Sequence, residues 1–282
     1  RSQESGETVK IVIVRLKYIS NFTDFDPFSL EPGVEVVYSE NPAEIENADL
    51  VIIPGSKNTV MDLLLLREKH LDDSIKKAYE KGTQVIGICG GYQMLGRRID
   101  DPHGVESQHR SVDGIGLLNI ETIFEKEKKT CLVEAEIVGN AECGACTQRL
   151  RVRTRECRGV RSAEWNSEEV LKGYEIHMGA SSGDIGLFKV RKSAVDSALR
   201  TPHSEFDLDG SLNKNCWGTY IHGIFDNDSF RRGILNQVRI AKGLLPLDSH
   251  VSYSESQEKA LDRLAAMVRE NIDMGFIQRM IA

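Results

Sequence analysis

The chain has 282 residues, 40% of them hydrophobic, and 36 Lys and Arg stand against 43 Asp and Glu for a net charge of −7. That length provides a sizeable core, and the acidic balance argues against a general nucleic-acid binder while leaving room for local basic patches. No run reaches the ~18 apolar residues a membrane span needs, and no basic-then-apolar signal sequence opens the chain, so a cytoplasmic protein without nucleic-acid or membrane partners is expected.

"RSQESGE" is polar and reads, through residue 8, as a linker from a longer protein. Three short apolar runs follow, "VKIVIVRL" (9 to 16), "VEVVYS" (34 to 39) and "ADLVIIPG" (48 to 55), and "TQVIGICG" (83 to 90) is the fourth. Between the last two, residues 60 to 82 carry the charge and spacing of one or two helices, with Gly82 as the C-cap. Strands alternating with helices imply an α/β architecture with a mostly parallel sheet.

From Ile115 to Val190 the pattern changes to strand-like pieces, including "LVEAEIVG", "RLRVRTRE" and "KGYEIHMG", so an antiparallel or mixed excursion is expected there. "NCWGTYIHGIF" (215 to 225) restores a buried strand and turn. A helix then starts near Asp228, and a C-terminal amphipathic helix closes the chain.

Within "VIGICGGYQMLG" (85 to 96), Cys89 falls on the turn between a buried strand and a helix. A nucleophile on such a turn is exposed at the carboxyl end of the sheet. Gly87, Gly90 and Gly91 suit a tight elbow, and the following backbone N–H stays free to bind an oxyanion. The helix N-terminus favours the thiolate. A lone cysteine is more often a small core residue, but the glycines reverse that reading. A thiolate nucleophile needs a base, and His222 in "GTYIHGIF" and His177 in "GYEIHMG" both follow apolar runs and sit near glycines.

"GICGGYQMLG" resembles the Gly-x-Cys-x-Gly-x-Gln elbow of class I glutamine amidotransferases. "NFTDFDPF" (21 to 28), "PGSKNT" (54 to 59), "GYEIHMG" (173 to 179) and "GTYIHGIFDNDSFRR" (218 to 232), in this order, are similar to the amidotransferase half of the cobyric acid synthase family, from Val9 to the last helix. The resemblance implies a flavodoxin-like three-layer sandwich over 9 to 282, with a Cys- and Arg-rich insert at about 125 to 165. It implies that Cys89 attacks the glutamine amide, that His222 is its base, that Gly55 and Gly90 supply oxyanion N–H groups, and that Gln93 lines the substrate site. Tyr174, Glu175 and His177 match a motif for which a pocket or interface role is expected.

The resemblance also implies glutamine as substrate and ammonia delivery to an N-terminal synthetase domain of the same protein. That domain would use ATP and Mg to amidate a corrinoid acid, adenosylcobyrinic acid a,c-diamide; no cofactor is expected in the present domain. His222 lacks the Glu two residues on that orients the imidazole in the commonest amidotransferases. Asp226, a backbone carbonyl or a residue of the synthetase domain are the candidates for that role, and a dyad left without it should be slow alone.

"GSKNT" does not meet the phosphate-loop spacing, and "DLDGSLNKN" (207 to 215) reads as a solvated turn rather than a calcium loop. Cys131, Cys143, Cys146 and Cys157 form either a structural zinc site or unpaired thiols in an inserted hairpin. Arg149, Arg151, Arg153 and Arg155 share one face of a strand, either an ordinary charged edge or a surface for carboxylates of the acceptor or synthetase. Rival readings are an amidotransferase for cobyrinic acid or a peptidoglycan precursor, and a catalytically silent interaction domain.

Overall fold

The computed structural model describes residues 8–138, 169–194, 206–247 and 251–281. The first half runs β1 (Val9–Val14), a 3-10 turn (Phe22–Phe25), α1 (Asp26–Ser29), β2 (Val34–Ser39), α2 (Pro42–Glu46), β3 (Leu50–Ile53), α3 (Thr59–Glu68), α4 (Leu71–Glu80), β4 (Gln84–Ile88) and α5 (Gly90–Leu95). It continues through β5 (Arg98–Asp100), β6 (Ser111–Asp113), β7 (Ile120–Ile137), β8 (Val170–Gly183), β9 (Phe188–Ala194), β10 (Asp207–Asp209), β11 (Ser211–Asn213) and β12 (Cys216–Thr219). Helices α6 (Asp228–Ala241), α7 (Tyr253–Asn271) and α8 (Met274–Ile281) follow. Among the described residues no helix is long and apolar enough to cross a membrane.

The first sheet has the order β11-β12-β4-β3-β1-β2, parallel from β12 to β2, with β11 antiparallel at the edge. Inner strands β1, β3 and β4 are rich in Val and Ile because such a sheet is covered on both faces; β3 and β12 are buried at every position. Edge strand β2 instead is partly or fully exposed at every position but Ser39. The expected α/β core is therefore present, and α3 and α4 divide the helical stretch before Gly82, which takes φ 91°.

The antiparallel excursion forms a second, mixed sheet. Strand β7 pairs antiparallel with β8 and β9 and parallel with β5. The register of β7 against β8 jumps between Ile123↔Ala180 and Lys128↔Met178, leaving Gly179 opposite four residues. A Cβ at Gly179 would lie 2.7 Å from the Ile123 carbonyl oxygen. The extra residues lie on β7, and the GYEIHM portion of β8 reaches the first-sheet segment through the Tyr174–His222 bridge.

Two local expectations change. "DLDGSLNKN" is not a solvated turn: β10 and β11 belong to different sheets, Gly210 (φ 73°) joins them, and Asp209 is buried. The C-terminal helix is two helices, separated where Ile272 leaves helical geometry. Cys143, Cys146, Cys157 and the Arg149 to Arg155 stripe lie outside the described residues.

A buried ion cluster binds the segment after α1 to α6. Arg231 Nε lies 2.9 Å from Glu31 Oε1, and both side chains are fully buried. Arg231 also donates to the Phe225 carbonyl and to Asp228, and Arg232 reaches Glu31. Phe25 and Phe28 pack on Phe225, with ring centroids 6.1 and 4.8 Å apart. The sequence motifs "NFTDFDPF" and "HGIFDNDSFRR" are thus packing partners.

Candidate active site

Strands β4 and β12 lie side by side and parallel, so the residues that leave them emerge at the same edge of the sheet. Cys89 follows β4 with φ 50° and ψ −109°, a conformation that L-residues rarely adopt and that is held here by neighbours on both sides. Its N–H donates to the Thr219 carbonyl at 2.9 Å. The flanking glycines are required by close approach: a Cβ on Gly91 would lie 2.0 Å from Ile53 O, and one on Gly87 would lie 2.7 Å from Tyr92 N. Helix α5 therefore backs directly onto the end of β3 and presents the thiol at the turn.

His222 leaves β12 three residues beyond its end and is buried beside that thiol. Its Nδ1 lies 2.6 Å from Asp24 Oδ2, and Gly223 N–H donates to the other Asp24 oxygen at 3.3 Å. Asp24 occupies Nδ1, which leaves Nε2 as the ring nitrogen open to the Cys89 thiol. Burial opposes charge on the imidazole, but hydrogen bonds to Asp24 and Cys89 outweigh it and raise its pKa to about 10.

Asp24 answers the question of the orienting group, and none of the expected candidates holds that position. Asp226 belongs to the 3-10 turn after Gly223, and its carboxyl is pushed up to about 6 by burial and by the Asp24 charge. No partner chain and no backbone carbonyl is needed at Nδ1. The sequence carries one signal for it, an acid set between two aromatic residues, Phe22 and Phe25, in the motif "NFTDFDPF".

Gly55 stands against this pair: a Cβ there would lie 3.3 Å from His222 Cε1 and 2.9 Å from Ser20 Oγ. The segment is fixed by Ser20 N–H donating to Gly55 O and Lys57 N–H donating to Tyr18 O. Gly90 opens α5, where the first N–H groups have no helical acceptor, and its Cβ would lie 2.9 Å from Ser56 N. The elbow and the 55–56 backbone are therefore in contact beside the thiol.

Gln93 is buried and heavily engaged. Its amide nitrogen donates to Met178 O and Tyr220 OH, both at 3.1 Å, and its oxygen accepts from Thr59 at 3.4 Å. It ties α5 to β8 and to the chain after β12. Strand β8 passes over the elbow, with Ile176 O 3.7 Å from Cys89 Sγ. Tyr174 stacks on His222, and His177 stacks on Tyr220 at 3.9 Å.

Behind that wall Glu175 is buried between His177 Nε2 (3.3 Å) and Lys192 Nζ (3.0 Å). Burial alone would raise its pKa; its two partners instead hold it below the usual carboxylate range. Tyr174 is thus at the dyad, whereas Glu175 and His177 form a buried polar support. Cys131 is a free, half-buried thiol 3.9 Å from Glu175. Among the described residues no three His, Cys, Asp or Glu side chains gather to hold a metal.

Asp209 accepts from the Thr219 hydroxyl and from Tyr220 N–H under the same wall. Burial pushes its carboxyl from 3.8 to about 6. A raised carboxyl favours the protonated fold, so its contribution is complete below the unfolded value and is lost as pH rises through about 6. Asp209→Asn does not titrate and is expected to remove about 2 kcal/mol from the wild-type decline in stability between pH 4 and pH 7. Urea midpoints of the two proteins at those pH values measure it.

Residues 10–230 match the CobB/CobQ-like glutamine amidotransferase domain. The chain belongs to that family. The amidotransferase is 41% identical to the cobyric acid synthase of Thermodesulfovibrio yellowstonii over 276 residues, which is 97% of this chain and 49% of that protein. It is 37% identical to the cobyric acid synthase of Syntrophobacter fumaroxidans, over 98% of this chain and 50% of that one. The amidotransferase thus spans about half the length of these curated relatives. Among solved structures, PurLQS from Thermotoga maritima covers 81% of this chain and 98% of its own at 17% identity with a TM-score of 0.52, a likeness of fold.

Proposed function

We propose that the chain hydrolyses glutamine through a thioester on Cys89, with His222 as base and acid and Asp24 as its orienting carboxylate. The observation that carries this reading is the contact of one imidazole with a thiol at a strand-to-helix elbow and, at 2.6 Å, with a buried carboxylate.

The Cys89 proton passes to His222, and the sulfur attacks the side-chain amide carbon. The backbone N–H groups of Gly55 and Gly90 receive the oxyanion. When the intermediate collapses the C–N bond breaks, His222 returns the proton to the nitrogen, and ammonia leaves a glutamyl thioester. Water, deprotonated by His222, attacks the thioester; glutamate departs and the thiol is restored. Asp24 stabilises the imidazolium at each step, so the triad needs no residue from another domain.

The relatives' name, cobyric acid synthase, supports the making of cobyric acid as the use of this ammonia; the reading assigns it to amidation of adenosylcobyrinic acid a,c-diamide, in the cytoplasm. ATP and Mg belong in this reading to a synthetase domain that receives the ammonia. Cobyrinic acid or a peptidoglycan precursor as acceptor is less favoured by those names. A silent interaction domain is disfavoured by a complete Cys–His–Asp line.

The test is an electrophilic glutamine analogue, the diazoketone 6-diazo-5-oxo-norleucine, with peptide mapping and an assay of glutamate release. One adduct, on Cys89 and suppressed by glutamine, is expected. A folded protein that acquires no adduct at Cys89 and releases no glutamate overturns the reading.

A further inference from the structure

We infer that Tyr174 is a positioning residue for His222, its ring face fixing the imidazole between Asp24 and Cys89 and stabilising the imidazolium formed when the thiol is deprotonated. This rests on the reading of Cys89 and His222 given above.

Four observations converge on Tyr174. Its ring lies nearly parallel to the imidazole, at 20° and 5.2 Å between centroids. The two residues also form an isolated antiparallel bridge: His222 N–H donates to Tyr174 O at 2.8 Å, and Tyr174 N–H donates to His222 O at 3.1 Å. Gly173 permits that approach, since a Cβ on it would lie 2.5 Å from His222 O. Finally, Asn21 Nδ2 donates to the Tyr174 hydroxyl at 2.6 Å.

The last contact joins Tyr174 to the segment that carries Asp24. Asn21 adopts a left-handed conformation (φ 51°, ψ 41°) three residues before that carboxylate. One short loop therefore holds the imidazole at its edge through Asp24 and on its face through Tyr174. An aromatic face carries negative potential, so it attracts an imidazolium more strongly than a neutral imidazole. The other titratable groups around the ring are Asp24, Cys89 and, beyond Gly223, Asp226. An aliphatic side chain at 174 would retain packing and lose the face.

Two readouts on the whole chain separate positioning from packing: kcat and KM for glutamate release, and the pH dependence of Cys89 alkylation by iodoacetamide. Tyr174→Leu is expected to lower kcat about tenfold with KM changed by less than about twofold, and to move the alkylation midpoint up by about half a pH unit or more. Tyr174→Phe, which keeps the ring face and loses only the hydroxyl contact with Asn21, is expected to lose less kcat than Tyr174→Leu and to leave the alkylation midpoint closer to wild type. Fluorinated phenylalanines at 174 preserve shape while weakening the ring's potential, so the midpoint should rise with each fluorine even if the leucine variant folds poorly.

An unchanged midpoint across the fluorinated series, or a loss confined to KM, overturns the inference. Failure of the amidotransferase reading looks different: no glutamate release from the wild type, while the alkylation midpoint still depends on the ring at 174.

Discussion

Glutamine hydrolysis is expected to fall about a hundredfold to a thousandfold when Asp24 is replaced by Asn. The carboxylate lies 2.6 Å from His222 Nδ1 and is nearly closed to solvent, so it is the charge that faces Nδ1 of an imidazolium formed at His222. Asn preserves the shape but supplies no charge, and its amide can force the wrong imidazole tautomer; the equivalent change in a serine triad costs about 10⁴. A thiol is more readily ionised than a serine hydroxyl, and this places the expected loss below that figure. Glutamate release measures it.

The same variant should alter stability at alkaline pH. His222 is raised above its ordinary 6.5 to about 10, so its contribution is full below 6.5 and disappears as pH rises through about 10. Asp24→Asn removes part of that contribution and should flatten the decline. Were the orienting carboxylate Asp226 instead, Asp226→Asn would carry the large kinetic loss and Asp24→Asn a minor one. That comparison decides between them within the chain itself.

The second large effect concerns stability. Glu31→Ala leaves the fully buried Arg231 guanidinium without the carboxylate that faces its Nε at 2.9 Å. Breaking a buried pair by removing one partner costs about 3–5 kcal/mol. Arg231 keeps its bonds to Phe225 O and Asp228, which places the loss near about 3 kcal/mol, or a fall in Tm of about 6–12 °C for a domain of this size. Thermal unfolding followed by circular dichroism reads it. The double variant Glu31→Leu, Arg231→Met removes both charges and should recover most of the loss. Glu31 follows Asp24 by seven residues on the segment that packs against Phe225, so Glu31→Ala should also lower turnover by loosening the triad.

The parts of the site that were legible in the sequence share one property. Cys89 and His222 each follow an apolar run that must be a buried strand, and each neighbours glycine, so strand, turn and side-chain placement are all encoded within a dozen residues. The same local logic located β1 to β4, the helices between β3 and β4, and the start of α6. Hydrophobic periodicity reports burial, and a chain that alternates buried strands with helices has few ways to arrange a parallel sheet.

What the sequence could not decide is which distant groups meet. Asp24 in isolation is one acid among 43, at the start of a short helical turn, and its hydrogen bond to His222 spans 198 positions. Only the folded chain, with Phe25 and Phe28 seated on Phe225, brings that carboxylate to Nδ1. Strand β8 likewise brings Tyr174, which pairs with Leu132 in the second sheet, onto His222 just beyond β12 of the first. The strand pattern could not show this, because an alternating run records which face is buried and not what it is buried against. The sequence by itself therefore placed Cys89, His222 and the sheet that aligns them, whereas the tertiary structure decided which carboxylate meets the imidazole, since that depends on packing between segments with no shared local signal.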